Sequence, residues 1–409
     1  MPRRADKVAE KARSALEKPA PIGSDVPISR YKTEAPKHSA VPDPEALPQE
    51  DRSRMLEVGV TPRLEERAAT YIQMDESVVY SSSNEGGVEV LSIGQALEKY
   101  EWLSDYYWNA LEVDTDKYTA IAEVKPGGGY FIRVKEGYKA KRPVQSCLYI
   151  STDSLAQRVH NIIIVEPNAE LHVITGCATS RLVSSGLHVG ASEFYVKSGG
   201  KLSYTMIHNW GKAVAVRPRT AAVVEDGATF LSNYICLEPA ATLQMYPTTY
   251  LTGRESVARF YSLLMATPGS ELDVGSRIVL EGRGSRAEIV SRSVSRGGTI
   301  VARGLLEGRS PGVKGHLECN GLILSDEGLI HAVPELRGTL KDVDLSHEAA
   351  VGKISEEEIH YLMARGLSED EATSAIVRGF LDVRIEGLPA ELQSYIKSVV
   401  ESGERKASM

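Results

Sequence analysis

Three stretches of the sequence share one pattern: VEPNAELHVI at residues 165–174, VKSGGKLSYT at 196–205 and VEDGATFLSN at 224–233. Each begins with an apolar residue, continues through a turn rich in Gly, Asn or Asp, and ends in a mix of apolar and polar residues. Related phrases follow at 237–246, 266–275, 280–290 and 294–303. The turn residues fall near 168, 199, 227, 240, 269, 283 and 298, and most steps between them are multiples of one short, nearly constant unit.

This repeat predicts a coiled β architecture. A turn in every unit without an intervening helix indicates that each unit buries its apolar face against the next. A β-sandwich would instead give strands at roughly 8–12-residue spacing with hairpin signals. We therefore predict a mainly β protein, with a right-handed parallel β-helix core flanked by N-terminal and C-terminal helical regions.

Changes in composition and in the spacing of apolar residues divide the chain into four predicted regions. Residues 1–49 include a proline-rich stretch and are predicted to be a flexible N-terminal segment. Residues 50–117 carry apolar residues at intervals of three and four and are predicted to be a helical region. The β-helix core is predicted over 118–345 and a C-terminal helical region over 346–409.

Two short helices are predicted after residue 353. Ser355 with Glu358, and Ser368 with Glu371, form candidate capping boxes, and Gly366 is a stop signal between the helices. A third helix is predicted over 389–400. Such a small appendage cannot hold much core of its own, so its apolar surface is predicted to lie on the β-domain or on another protein.

The net charge, the length of the apolar runs and the spacing of the cysteines disfavour several classes of function. The 409 residues carry a net charge of −8, which disfavours nucleic-acid binding because phosphate contacts need a concentrated basic face. No apolar run approaches the roughly 20 residues that cross a bilayer, and no signal peptide opens the chain, so we predict a cytoplasmic protein without membrane contact. Four widely spaced cysteines indicate neither a disulfide framework nor a zinc knuckle: Cys147, Cys177, Cys236 and Cys319.

Motifs near the end of the β-region point to metal chemistry rather than to hydrolysis. HEAAV at 347–351 lacks the second histidine of a zinc-protease HExxH, and no stretch matches the phosphate-binding GxxxxGK[ST], so the chain is not predicted to hydrolyse ATP by itself. Cys319, His331, His347 and Glu348 are four potential ligands that neighbouring coils could bring together. Thiolate, imidazole and carboxylate ligands together suit iron.

At these residues the sequence resembles the SufB/SufD family, the scaffold subunits of the SUF iron–sulfur cluster assembly machinery. The most specific match is a His–Glu step followed by GKISEEEIHYLMARGLSEDEATSAIVRGF at 352–380. GHLECNGLILSDEGLIHAVPEL at 315–336, ITGCATS at 174–180 and IHNW at 207–210 resemble further family segments. The resemblance spans roughly residues 50–402.

The resemblance implies a function as a non-enzymatic scaffold. The chain would form a homodimer or pair with a SufB or SufD paralogue, bind a SufC-type ABC ATPase, receive sulfur from a donor and pass a transient iron–sulfur cluster to apoproteins. Cys319, His347 and Glu348 would be the cluster ligands at the dimer interface. The ATPase would contact apolar residues of the two C-terminal helices, namely Ile359, Leu362, Met363, Ile376 and Phe380.

The resemblance also implies a path for sulfur. Cys177 matches a cysteine proposed to accept sulfur, and Trp210 matches a tryptophan on the route from it to the cluster site. His208 stands where the family usually has glutamine. Arg219 is the candidate for a basic residue on the same route.

The branch of the family is predicted from two residues. SufD chains usually lack the ligand cysteine and the Glu after the interfacial His, whereas this sequence keeps Cys319 and Glu348, so it is SufB-like. A SufD-like structural partner without cluster ligands remains an alternative. A β-helix carbohydrate-active enzyme is a further alternative, but it would need secretion and a carboxylate cluster on one β-face, and the sequence has neither signal.

Overall fold

The computed structural model describes residues 4–61, 64–238 and 240–381, and the helix predicted over 389–400 lies outside them. The described part contains six α-helices, which are α1 Arg4–Ser14, α2 Gln49–Leu56, α3 Ile93–Lys99, α4 Lys117–Val124, α5 Glu356–Met363 and α6 Glu369–Leu381. Every helix in these ranges is too short or too polar to cross a lipid bilayer.

Two long sheets form the body of the molecule. Sheet I contains β1 Ala69–Met74, β2 Ser77–Ser83, β5 Val144–Ile150, β7 Glu170–Thr179, β9 Lys201–Asn209, β12 Thr229–Glu238, β15 Val257–Ala266, β17 Arg286–Ser295, β19 Val313–Ile323 and β21 Val343–Lys353. Sheet II contains β3 Val88–Ser92, β4 Tyr130–Val134, β6 Leu155–Val165, β8 Gly186–Val196, β10 Val214–Val216, β11 Arg219–Val224, β13 Thr242–Met245, β14 Thr248–Leu251, β16 Glu271–Leu280, β18 Thr299–Gly308 and β20 Leu329–Gly338.

The chain alternates between the two sheets and so winds a β-solenoid of about eight coils. Successive strands of one sheet pair in parallel, and the ladder partners Arg286, Lys314 and Asp344 stand at the same place in three successive coils. One coil has two strands and two turns, so the short unit that repeats in the sequence is half a coil. The predicted parallel β-helix core is confirmed.

The regular spacing of the turn residues has a backbone cause. Asn168, Gly199 and Gly227 occupy corresponding corners of three successive coils with φ of +57°, +68° and +63°. Each donates its backbone N–H to a carbonyl of the next coil. Only Gly, and to a lesser degree Asn, adopts this left-handed conformation without much strain, which explains the Gly and Asn in the repeat.

The structure corrects parts of the predicted helical regions. Residues 69–92 form β1, β2 and β3, whereas a helical region was predicted over 50–117. The β-branched and aromatic residues there pair with strands of both sheets, and tertiary pairing overrides the helical spacing. The last strand also continues to Lys353, past the predicted end of the core at 345.

The two predicted capping boxes differ in the structure. Ser368 and Glu371 make the reciprocal bonds of a capping box at the start of α6. Ser355 precedes α5, but its side chain makes no capping bond to the described residues. Gly366 has a φ of +98° between the two helices, as expected for a stop residue.

The N-terminal residues pack along the outside of the solenoid. Ala12 of α1 is buried in an apolar cluster with α4 and the outer face of sheet II. Leu47, Met55 and Val58 are buried against the outer face of sheet I. The solenoid therefore has an inner apolar core between its sheets and outer apolar layers beneath this segment.

Candidate functional site

The C-terminal end of the solenoid is open. In the described part of the chain, β21 pairs only with β19 and β20 pairs only with β18. Most side chains of β21 are exposed, and Val351 is 40% exposed. An edge with unpaired backbone groups and apolar side chains is suited to pairing with another chain.

Cys319 lies one strand inside this open edge. It points into the lumen, which is the space between the two sheets, and packs in one apolar cluster with Leu317 and Ile330. Ser291 of β17 and Ala349 of β21 are its ladder neighbours. Cys319 is 2% exposed, and burial raises the pKa of its thiol to about 11, so the thiol is protonated at neutral pH.

The four candidate ligands do not converge within one chain. His347 is paired with Leu317 and therefore lies on the luminal face of β21, the same face as Cys319. Glu348 is paired with Glu318, whose alternation places it on the outer face. His331 lies on the outer face of sheet II, opposite Val301 of β18.

Within the described ranges, no group of three or more His, Cys, Asp and Glu side chains is arranged to hold a metal ion. The predicted convergence is thus wrong for a single chain, because alternate residues of a strand point to opposite faces. A shared role for Cys319, His347 and Glu348 requires a second chain or an opened last coil.

A second cluster of functional groups surrounds Cys177 in the lumen. Cys177 of β7 is paired with His208 of β9, so their side chains are neighbours on the luminal face. His208 Nδ1 hydrogen-bonds the Tyr234 hydroxyl at 2.8 Å. The Trp210 ring lies 5.4 Å from the His208 ring and 4.7 Å from the His188 ring, measured between centroids.

Burial keeps this cluster uncharged. Desolvation raises the pKa of the Cys177 thiol well above its ordinary value, lowers that of His208 well below its ordinary value, and lowers that of His188 to about 3. His208 Nε2 and Trp210 Nε1 are buried and have no hydrogen-bond partner among the described residues. Buried polar groups are normally hydrogen-bonded, so these two groups are exceptions within the described part of the chain.

Arg219 is not part of the luminal cluster. It lies on the outer face of sheet II, where its Nε donates to Asp116 at 2.6 Å and its guanidinium lies 5.0 Å from the centre of the Tyr118 ring. The expectation that Arg219 lines a route from Cys177 is therefore not met in this structure.

A column of luminal side chains connects the two cysteine regions. The ladder pairs Tyr234 with Ser262, Ser262 with Ser291, and Ser291 with Cys319. All four point into the lumen at successive coils. The two serines belong to no motif recognised in the sequence, although they recur at the period of one full coil. Aligning the half-coil units in pairs would have found them.

The two C-terminal helices differ in how they pack. Helix α6 buries Ala372, Val377 and Leu381, and Val377 and Leu381 join the outer apolar layer of sheet I. Phe380, a predicted ATPase contact, packs partly on the same layer, 5.6 Å from the Arg292 guanidinium. Much of the apolar surface of α6 is therefore used inside the chain.

Helix α5 has no residue that the described part of the chain buries. Its predicted contacts Ile359 and Leu362 are partly exposed, as is Ile376 on α6, and Met363 is 39% exposed. Tyr361 on the same helix is 58% exposed. Apolar side chains left uncovered in this way are typical of a binding surface.

Comparisons with known proteins agree on one family. The family model for the SufBD core domain of the SUF system of FeS cluster assembly matches residues 148–380. An iron–sulfur cluster assembly SufBD family protein of Methanothermobacter thermautotrophicus is 50% identical over 398 residues, covering 96% of this chain and 97% of the relative. A SufBD family protein of Archaeoglobus fulgidus is 52% identical over 355 residues, covering 87% and 95%. The iron–sulfur cluster assembly protein SufB of Bacillus subtilis is 31% identical over 356 residues, covering 84% and 76%.

Proposed function

Because the chain belongs to the SufBD family of iron–sulfur cluster assembly proteins, we propose that it is a SufB-like scaffold on which a cluster is built and then passed to apoproteins. The cluster is cargo rather than a resident cofactor. The observation that carries this proposal is the position of Cys319, one strand from an open solenoid edge.

Two copies would pair through their last coils, or one copy would pair with a paralogue. A two-fold contact along β21 would bring two sets of Cys319, His347 and Glu348 near one axis. In support, β21 has a free ladder edge within the described ranges and exposed apolar side chains, and His347 shares the luminal face with Cys319. Glu348 would act from the outer face of β21, at the border of the contact between the two chains.

Ligation requires opening of the last coil. The Cys319 thiol is buried and protonated in the closed chain, whereas iron binds the thiolate. In the described part of the chain, only β21 pairs with β19 on the edge side, so displacing one strand exposes Cys319. A SufC-type ATPase held on α5 would supply this motion, because α5 follows β21 directly in the chain.

Cys177 would be the sulfur acceptor, with Trp210 and His208 beside it. The cluster around Cys177 supports this role, because it offers buried N–H or N groups without partners among the described residues, next to a thiol. The luminal column through Ser262 and Ser291 would lead from this region towards Cys319.

Anaerobic reconstitution with iron and sulfide tests the cluster site. Cys319→Ala is expected to lose the cluster absorbance and Mössbauer signals, since it removes the only thiol near the open edge in the described part of the chain. Cys147→Ala is the matched control, because Cys147 faces the outer apolar layer. A normal cluster in Cys319→Ala would exclude the proposed site.

Co-purification with the SufC-type ATPase tests the role of α5. The double substitution Leu362→Asp and Met363→Asp is expected to weaken binding by at least about tenfold, a typical effect of removing apolar anchors. Leu182→Asp, at an 82% exposed residue between β7 and β8, is the control. Unchanged binding of the α5 variant would refute the contact.

One observation favours a second candidate function. Cys319 is buried, and His347 and Glu348 lie on opposite faces of β21, an arrangement that a SufD-like structural partner without cluster ligands would tolerate. That candidate predicts that Cys319→Ala leaves cluster formation by the whole complex unchanged, so the same reconstitution distinguishes the two.

A further inference from the structure

A cavity of about 350 Å³ lies on the outer face of sheet II, beside Ile22 of the N-terminal segment. Tyr246, Thr248, Gln244 and Arg277 line it. Its volume is in the range of small-molecule sites. Two of these lining residues carry buried donors, Gln244 Nε2 and Arg277 Nε, that have no hydrogen-bond partner in the described part of the chain.

A second, smaller cavity lies behind it in the lumen. It has a volume of about 20 Å³, enough for one molecule of the size of water. Every residue that lines it is uncharged, including Tyr234, Ser262 and Thr249. The Thr249 hydroxyl is buried without a partner among the described residues. Thr220 lines both cavities, so a single layer of strand separates them.

The strand layer is interrupted at this place. Strands β13 and β14 both pair with β16, but Tyr246 and Pro247 between them are outside the ladder. The Arg277 N–H donates to the Pro247 carbonyl, so in a parallel ladder an N–H at position 247 would donate to the Gly275 carbonyl. Proline has no N–H, and that bond is missing.

Two neighbouring positions bear on this gap. Gly275 lines the luminal cavity, and Arg303 of the next coil occupies the place that a side chain at Gly275 would take. In the preceding coil, Pro218 separates β10 from β11 in the same way. By the register of β11 with β14, Thr220 lies opposite Pro247. Pro218 lies opposite Met245 by the same registers, so the two interruptions are offset by two residues on neighbouring coils.

We infer that the gap between Thr220, Pro247 and Gly275 is a side entrance to the lumen, through which hydrogen sulfide passes inward from the outer cavity. The entrance stands on geometry alone, whereas sulfide as its cargo rests on the proposed function. Sulfide enters uncharged, because an ion would lose its hydration in a lumen lined here by uncharged groups. The step is a transfer of one molecule without bond formation or redox change.

The entrance opens onto the luminal column. Tyr234 and Ser262 line the inner cavity, and Ser262, Ser291 and Cys319 follow one another at strand spacing. Ser262 is thus two strand spacings from Cys319, roughly 10 Å. Sulfide entering here reaches the candidate cluster site without passing Cys177, which gives the chain a second source of sulfur.

Labelling of buried cysteines tests the entrance. Methylmercury chloride is small and neutral, and it reacts with a thiol to form a sulfur–mercury bond with release of HCl. Cys236 is the reporter, because it is fully buried and faces the lumen beside Tyr234. Thr248→Trp fills the outer cavity. It is expected to slow labelling of Cys236 by about tenfold, because it raises the free-energy barrier to entry of the reagent.

The controls separate blockage from general effects. Thr299→Trp places the same side chain on the outer face of sheet II away from the gap, and its labelling rate should equal that of the unmodified chain. Cys147, on the outer layer, should react at an unchanged rate in every variant. Equal rates at Cys236 in the two tryptophan variants, with equal melting temperatures, would overturn the entrance.

Reconstitution with sodium sulfide and iron tests the cargo. Thr248→Trp should slow cluster formation and Thr299→Trp should not. If labelling of Cys236 slows but cluster formation does not, the entrance does not carry sulfide and that assignment is wrong. If Cys319→Ala still forms the cluster, the proposed function fails, but the labelling result and the entrance remain.

Discussion

At the scale of single residues, a buried carboxylate organises the aromatic layer outside sheet II. Glu193 is fully buried on β8 and accepts backbone N–H groups of Trp108, Asn109, Ala110 and Leu111 at 2.6–3.1 Å. Burial of an ionised carboxylate is costly unless it is hydrogen-bonded in this way. The four bonds hold the connection after α3 against the solenoid wall.

We expect Glu193→Gln to destabilise the protein by about 2–3 kcal/mol, because the charge-assisted bonds become neutral and the amide cannot accept at both positions. Chemical denaturation measures the free energy of unfolding. Glu170→Gln, at an exposed residue that begins β7, should change it little. Equal losses in the two variants would show that Glu193 has no special role.

At the scale of secondary-structure elements, the free edge of β21 separates this end of the molecule from the rest. Every other solenoid strand of sheet I from β5 to β19 has a neighbour on both sides, whereas β21 has one in the described part of the chain. Natural sheets usually protect such an edge, so its exposure here favours a second subunit.

We expect Val351→Lys to weaken self-association by at least about tenfold, since it would place two like charges near the two-fold axis. Sedimentation velocity over a range of concentrations measures the dimer constant. Leu182→Lys, on an exposed turn far along the chain, is the control. If both variants associate like the unmodified chain, the contact does not involve this edge.

The sequence predicted some elements well and others poorly, for physical reasons. The repeated turns at Asn168, Gly199 and Gly227 revealed the coils because their backbone conformation restricts the residue type. Cys319 and His347 share a face, which their spacing of about one coil permits. The outward direction of Glu348 follows from strand alternation, because Val343–Lys353 is a strand and not the start of the predicted helical region. The outward position of Arg219 depends on strand register, which motif matching does not contain.

At the scale of the whole molecule, the lumen is a long interior that includes uncharged histidines. Burial lowers the pKa of His188 to about 3, from an ordinary value of 6.5. Between these values the unfolded chain binds a proton that the folded chain does not. As far as His188 determines it, the free energy of unfolding is therefore highest above about pH 6.5, and it falls as the pH decreases towards 3.

We expect the free energy of unfolding to fall by about 2 kcal/mol between pH 7 and pH 5 through His188 alone. Denaturation at a series of pH values measures the slope. In His188→Gln the fall in the free energy of unfolding between pH 7 and pH 5 should be smaller by about 2 kcal/mol, whatever the absolute stability of the variant. An unchanged slope would show that His188 does not stay neutral in the folded chain.

The nearly constant length of the coil makes the separation of the two thiols adjustable in fixed steps. Inserting or deleting one coil between Cys177 and Cys319 would lengthen or shorten their distance by one strand spacing, about 4.8 Å, while the chemistry at either end stayed intact. The number of coils can therefore change during evolution without any change in the residues around Cys177 or Cys319.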